Sequence, residues 1–182
     1  PLVQAYDSVA IEADVEFGGS DQTFNCLIGR DLMAKMSMPR QIVLITPILV
    51  GLDGTEKMSK SKGNTVSVGM DANDMFGKVM SIPDALMANY FTLLTDVPME
   101  RIAALTEPGR THPRDAKIEL GKRIVTDYHG AQAAEVAAAE FQRVYSQGNA
   151  PTDMPEVRPA ATRVNIVELI HDAGLARSKG EA

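Results

Sequence analysis

The segment RQIVLITPIL, residues 40–49, is a nearly unbroken apolar run rich in β-branched side chains. Such a run is the signature of a strand buried on both faces, as in a parallel sheet, and it constrains the fold more than any other feature. Upstream, PLVQAYDSVAIEAD spaces Leu2, Val3, Tyr6, Val9, Ala10 and Ile11 along one helical face. VEF then reads as a short strand that stops at Gly18-Gly19, and Ser20 and Asp21 are good N-cap types for a helix over residues 21–37. Helix, strand, helix and buried strand in that order predict a doubly wound α/β layer.

After residue 70 the texture changes. DANDMFGKVMS, PDALMANYFTLLT, PMERIAALT, RDAKIELGKRIVTDYHG and AQAAEVAAAEFQRVYSQ all carry helical periodicity and are divided by prolines, glycines and caps. The expected organisation is an α/β segment over 1–70, an all-helical domain over 71–147, a proline-rich linker over 148–162 and a new element over 163–182. The chain starts abruptly at Pro1 and ends in LARSKGEA, which looks like the middle of a helix, so both ends read as cuts in a longer protein.

With 24 acidic against 18 basic residues and a net charge of −6, a globally basic nucleic-acid coat is excluded, although a local basic site is not. The single cysteine, Cys26, cannot build an internal disulfide framework and fits a reducing compartment. Its neighbours Phe24, Leu27 and Ile28 favour a buried inert thiol over a nucleophile. No apolar run approaches the roughly 18 residues of a membrane span. His112, His129 and His171 share no metal-ligand spacing, so no metal site is expected. Met33, Met36, Met70, Met75, Met80 and Met87 fall at helix-face positions and read as core filler.

Local positive charge is concentrated in GLDGTEKMSKSKGNTV, residues 51–66, directly after the apolar strand. A solvated turn is one reading, since Asp53-Gly54 is a common turn dipeptide. The other is a polyphosphate clamp: Lys57, Lys60 and Lys62 supply ammonium donors, Ser59 and Ser61 supply hydroxyls, and Gly51, Gly54 and Gly63 permit close backbone approach. The glycine spacing is not that of GxxxxGK[ST]. In open parallel sheets ligands collect beyond the carboxyl ends of the strands, where both this loop and FGGSDQ fall. Gln4 and Asp7 share a helical face at i and i+3, suiting either a solvated surface or a polar pocket. Arg101, Arg110, Arg114, Lys117, Lys122 and Arg123 suit equally a phosphate-backbone contact or a solvated helix face.

KMSKS at 57–61 resembles the signature loop of class I aminoacyl-tRNA synthetases, and QAYD (4–7), GGSDQ (18–22) and KMSKS together resemble the tyrosyl-tRNA synthetases of bacterial type. The resemblance covers the whole chain and implies the C-terminal half of a Rossmann-like nucleotide-binding domain, an all-helical domain and the start of a small RNA-binding domain. It implies that Asp7 accepts the phenolic hydrogen bond of L-tyrosine, Gln4 meets the α-amino group and Gln22 lies near the carboxylate. Asp21 and Gly19 would meet the ATP ribose, while Lys57 and Lys60, assisted by Ser61, bind the pyrophosphate portion. The implied chemistry is attack of tyrosine's carboxylate on the α-phosphorus of ATP, with Mg2+ and the lysines stabilising departing pyrophosphate, then transfer to tRNA(Tyr). The implied protein is a cytoplasmic homodimer with no membrane partner and no tightly bound cofactor.

The HIGH-like tetrapeptide of the class does not occur in these 182 residues, so the segment alone is expected to form no tyrosyl-adenylate. Two alternatives stay open. One is a tryptophan-specific sister synthetase, against which Asp7 argues. The other is a non-catalytic module that binds polyanions, in which QAYD and GGSDQ would have no purpose.

Overall fold

A computed structural model describes residues 1–152 and 164–181. These fall into two compact units, Pro1–Phe141 and Gln142–Ala182.

The first unit opens with α1 (Leu2–Ala10), followed by β1 (Val15–Gly19), α2 (Thr23–Lys35) and β2 (Ile42–Thr46). β1 and β2 pair in parallel, Val15 opposite Ile42 and Gly19 opposite Thr46, with α2 as the crossover that a parallel pair requires. α1 buries Ala5, Ser8 and Val9, a 3–4 spacing that makes one stripe, against α2, which buries Cys26, Gly29 and Met33. Gly29 permits that approach: a Cβ there would lie 3.0 Å from Ser8 Oγ and from Gln41 Nε2. Cys26 is buried, and burial pushes its thiol pKa up, with Glu16 adding to the shift.

Two local expectations change. β2 is not buried on both faces, because Ile42, Leu44 and Ile45 are 58%, 44% and 38% exposed. The sheet of the described residues has two strands, so neither is flanked on both sides. Ser20 and Asp21 do not cap α2 either. They enter a 3-10 turn, Ser20–Gln22, that continues into the helix at Thr23, and Gln22 precedes it without a side-chain cap.

From residue 72 the unit is helical: α3 (Ala72–Met80), α4 (Met87–Leu94), α5 (Met99–Thr106), α6 (Pro113–His129) and α7 (Ala131–Phe141). The starts follow the sequence. Asp71 accepts from the Asp74 amide at 3.0 Å, and His112 Nδ1 accepts from the Arg114 amide at 3.2 Å ahead of Pro113 at the first position of α6. Met75, Phe76, Val79, Tyr90, Phe91, Leu120 and Val125 form the fully buried centre. α3 and α6 approach closely at Gly121, where a Cβ would stand 2.9 Å from the Phe76 ring. Phe76 also meets Phe141 with centroids 5.6 Å apart. Met33, Met75 and Met87 are buried as expected of core filler, whereas Met36 is half exposed.

The second unit holds a π-helical turn at Gln142–Ser146 and α8 (Ile166–Asp172), capped by Asn165 and followed by Gly174 at φ 72°. The expected linker over 148–162 lies, from residue 153 onward, outside the described residues, as does residue 163 at the start of the last expected segment. No described helix is long and apolar enough to cross a membrane.

Candidate functional site on the lysine loop

The loop after β2 is built as a small structured excursion. Val50 bridges antiparallel to Lys57, with the Gly51 amide donating to Glu56 O at 2.7 Å and the Met58 amide to Leu49 O at 2.8 Å. At the tip Asp53 Oδ1 accepts from the Glu56 amide at 2.8 Å and the Thr55 amide at 2.9 Å, and Oδ2 accepts from Asn64 Nδ2. These donors, the two backbone amides foremost, hold the Asp53 carboxyl well below the usual carboxylate range. Lys60–Lys62 form a 3-10 turn that ends at Gly63 in the left-handed region, φ 68°. Two ties fix the loop to the helices: Tyr90 donates its hydroxyl to Val50 O at 2.7 Å, and Lys78 Nζ donates to Thr65 O at 3.0 Å.

Within the KMSKS stretch the side chains alternate in role. Met58 turns inward and packs on the helical core, while Lys57, Lys60, Ser61 and Lys62 are exposed. A cavity of about 680 Å³ lies on the inward, apolar side, lined among others by Leu49, Met58, Val66, Tyr90 and Leu94. The charged face is therefore on the opposite side from this cavity.

The charged face meets the end of β1. Lys57 Nζ donates to Asp21 Oδ2 at 2.8 Å across 36 positions of sequence, and that bond lowers the Asp21 carboxyl below its ordinary range. Exposed ion pairs contribute little to stability, so the pair is a contact that a bound anion can replace. Gly19 stands next to it: a Cβ at that position would lie 2.8 Å from Asp21 Oδ1. Lys62 pairs with Glu56 at 2.7 Å. Lys60 has no ion-pair partner among the described residues, and Ser61 Oγ lies 2.9 Å from Ser59 Oγ. Gln22 is half-buried and accepts from Asn25 at 2.8 Å.

Gln4 and Asp7 belong to α1. Gln4 Nε2 donates to Glu16 Oε1 at 3.0 Å, and Glu16 Oε2 accepts from the buried Gln41 Nε2 at 2.6 Å. Asp7 is exposed, and no side-chain partner holds it among the described residues. Sequence reasoning thus missed Glu16, Gln41, Asp53, Asn64 and Tyr90. Only Asp53, in its Asp-Gly turn, carried a local signal. The basic residues of the helical segment are largely matched by acids: Arg101 with Glu119 at 2.8 Å, Lys117 with Asp84 at 2.6 Å and Lys122 with Glu135 at 2.7 Å.

A glycine, an acid and a lysine loop thus meet at the carboxyl end of the parallel strand pair. The sequence model of the family described as tRNA synthetases class I (W and Y) matches residues 1–146. The chain belongs to this family. The Tyrosine--tRNA ligase of Moorella thermoacetica is 48% identical over 185 residues, covering all of this chain and 45% of that protein. The Tyrosine--tRNA ligase of Bordetella pertussis is 47% identical over 184 residues, again covering all of this chain and 45% of its own length. The chain therefore spans about half the length of the curated relatives it matches. Among solved structures, tyrosyl-tRNA synthetase from Archaeoglobus fulgidus, complexed with L-tyrosine, matches with a TM-score of 0.56 and 27% identity over 76% of this chain and 50% of that one. The class I synthetase fold thus accounts for the mixture of helices and strands.

Proposed function

We propose that this chain supplies the lysine-loop side of a tyrosine–tRNA ligase, which activates L-tyrosine with ATP and transfers it to tRNA(Tyr). The observation that carries this proposal is the Lys57–Asp21 contact at 2.8 Å, which brings the KMSKS stretch onto the end of β1 beside Gly19. In the proposed reaction ATP enters with its own Mg2+, its ribose takes Asp21 over the glycine, and Lys57 is released toward the pyrophosphate. Lys60, with Ser61 beside it, meets the same negative charge as it develops on the leaving group. Electrostatic stabilisation of that departure and positioning supply the acceleration, with no covalent intermediate on the protein. On the amino-acid side, Gln4, Asp7 and Gln22 are assigned to the α-amino group, the phenol and the carboxylate. Asp7's exposure leaves its acceptor atoms accessible to such a donor.

The names of the curated relatives support tyrosine over tryptophan. We take residues 1–70 as the C-terminal part of a Rossmann-like catalytic domain, 71–147 as a helical domain, and the functional protein as a cytoplasmic homodimer. Residues 1–182 alone are expected to form no tyrosyl-adenylate, so the test is ATP–pyrophosphate exchange by the full-length protein that carries them, in the presence of tyrosine, tryptophan or phenylalanine. Exchange with tyrosine alone is the expected outcome. Exchange with tryptophan refutes the substrate, and no amino-acid-dependent exchange refutes the activity.

A further inference from the structure

Asn64 is only 6% exposed although the loop around it is open to solvent. Its amide engages both arms of the excursion. Oδ1 accepts from the Ser59 amide at 2.8 Å, while Nδ2 donates to Lys57 O at 3.2 Å and to Asp53 Oδ2. Its backbone carbonyl accepts from the Leu52 amide at 2.9 Å. Space for this group exists because residue 51 is glycine: a Cβ there would collide with Asn64 Nδ2.

The two peptide groups that the amide holds are the ones flanking Met58, the carbonyl before it and the N–H after it. Fixing both sets the direction of Lys57 and Met58 together, the lysine outward to Asp21 and the methionine inward to the helical core. Asp53 completes the frame, since its other oxygen gathers the Thr55 and Glu56 amides at the tip. We infer that Asn64, braced by Asp53, is a positioning residue that presents Lys57 to the pyrophosphate of ATP. The inference rests on the ligase activity proposed above. Neither residue touches substrate. Their effect is that the backbone of Lys57 need not be ordered at the moment of reaction.

An amide is required at residue 64 because it both donates and accepts. Asn64→Asp keeps the shape, loses both donors and sets a second carboxylate against Asp53. Loss of buried hydrogen bonds of this kind corresponds to about ten- to hundred-fold. In the full-length protein Asn64→Asp is expected to lower kcat of tyrosine-dependent exchange by that factor and leave the KM for tyrosine within about twofold. Trypsin should cut after Lys57, Lys60 and Lys62 about tenfold faster. Asp53→Asn alone places two donors face to face and should behave alike. The double variant D53N/N64D exchanges donor for acceptor. Residue 53 still accepts the tip amides through Oδ1, residue 64 still accepts from Ser59, and only the bond to the Lys57 carbonyl is lost.

The swap restores the contact between residues 53 and 64 but not the hold on the Lys57 carbonyl, so it is expected to recover part of kcat and of the protease resistance. Asn64→Asp with unchanged kcat and unchanged cleavage overturns the inference. So does a swap no better than either single variant, or a loss expressed mainly in the KM for tyrosine, which would mark general damage. If the unaltered full-length protein exchanges no pyrophosphate with tyrosine, the activity itself fails. The cleavage rates and their recovery in the swap then decide separately whether Asn64 sets the loop.

Discussion

Replacing Tyr90 with phenylalanine removes one oxygen atom and nothing else from the packed centre of the helical region. The ring is fully buried, and burial raises the phenol's pKa, so the hydroxyl remains a neutral donor throughout the working pH range. Its acceptor is Val50 O at 2.7 Å, and the bridge between Val50 and Lys57 is bonded through the neighbouring residues Leu49, Gly51, Glu56 and Met58 instead. Tyr90→Phe thus leaves that carbonyl without its partner, at a cost of about 1–3 kcal/mol. At about 2 kcal/mol the opening equilibrium of the loop base shifts roughly 30-fold. The ring's packing is retained, so the helices should be unaffected. Tyr90→Ala instead adds a cavity and should cost about 3–5 kcal/mol across the helical core. Hydrogen exchange of the full chain, followed by mass spectrometry, separates these effects. Tyr90→Phe should accelerate peptides covering 49–58 by about 5- to 150-fold while α4 and α6 keep native protection. Equal acceleration of the helices, or none in the loop, would refute the view that this hydroxyl ties the lysine loop to the core.

Gly121→Ala forces a Cβ to 2.9 Å from the buried Phe76 ring, and the overpacking should cost about 1–3 kcal/mol, offset in part by the better helix propensity of alanine. The net loss is measured by denaturant unfolding, and adding Phe76→Leu should recover part of it. Asp53 yields a pH dependence with a definite sign. Its folded pKa is depressed, so its stabilisation of the loop is complete above the ordinary carboxylate pKa of about 3.9 and disappears as pH falls below that value. Exchange protection of the Thr55 and Glu56 amides, corrected for intrinsic rates, should be flat from neutral pH to about 5 and fall beneath about 4, with no such step in Asp53→Asn.

The alternation of helix and strand over residues 1–46 was legible because period, β-branching and glycine stops are local properties, and β1 and β2 pair in parallel as that order predicts. Burial of β2 is not realised within these residues, which span about half the length of the curated relatives. An apolar run records what a strand is suited to face, whereas exposure depends on which strands lie beside it, and Ile42 remains 58% exposed in a two-stranded sheet. Asp21 is the clearest failure of local reasoning. Its type and position favour a helix cap, but Lys57, 36 residues away, takes the carboxylate instead. Lys57 itself stood out through charge density. Asn64 did not, because its importance comes from burial and from atoms of residues 53, 57 and 59, none of which a linear pattern reveals. Glu16 and Gln41, which engage Gln4, were hidden for the same reason.

The account's central claim is that the exposed lysines of the loop act on charge that develops as pyrophosphate departs. Steady-state exchange by the full-length protein, with Lys57→Ala and Lys60→Ala and with tyrosine affinity measured separately, tests it most directly. Each substitution should lower kcat by about 10²–10³-fold and leave tyrosine affinity unchanged. An unchanged kcat accompanied by weakened tyrosine binding would contradict the claim.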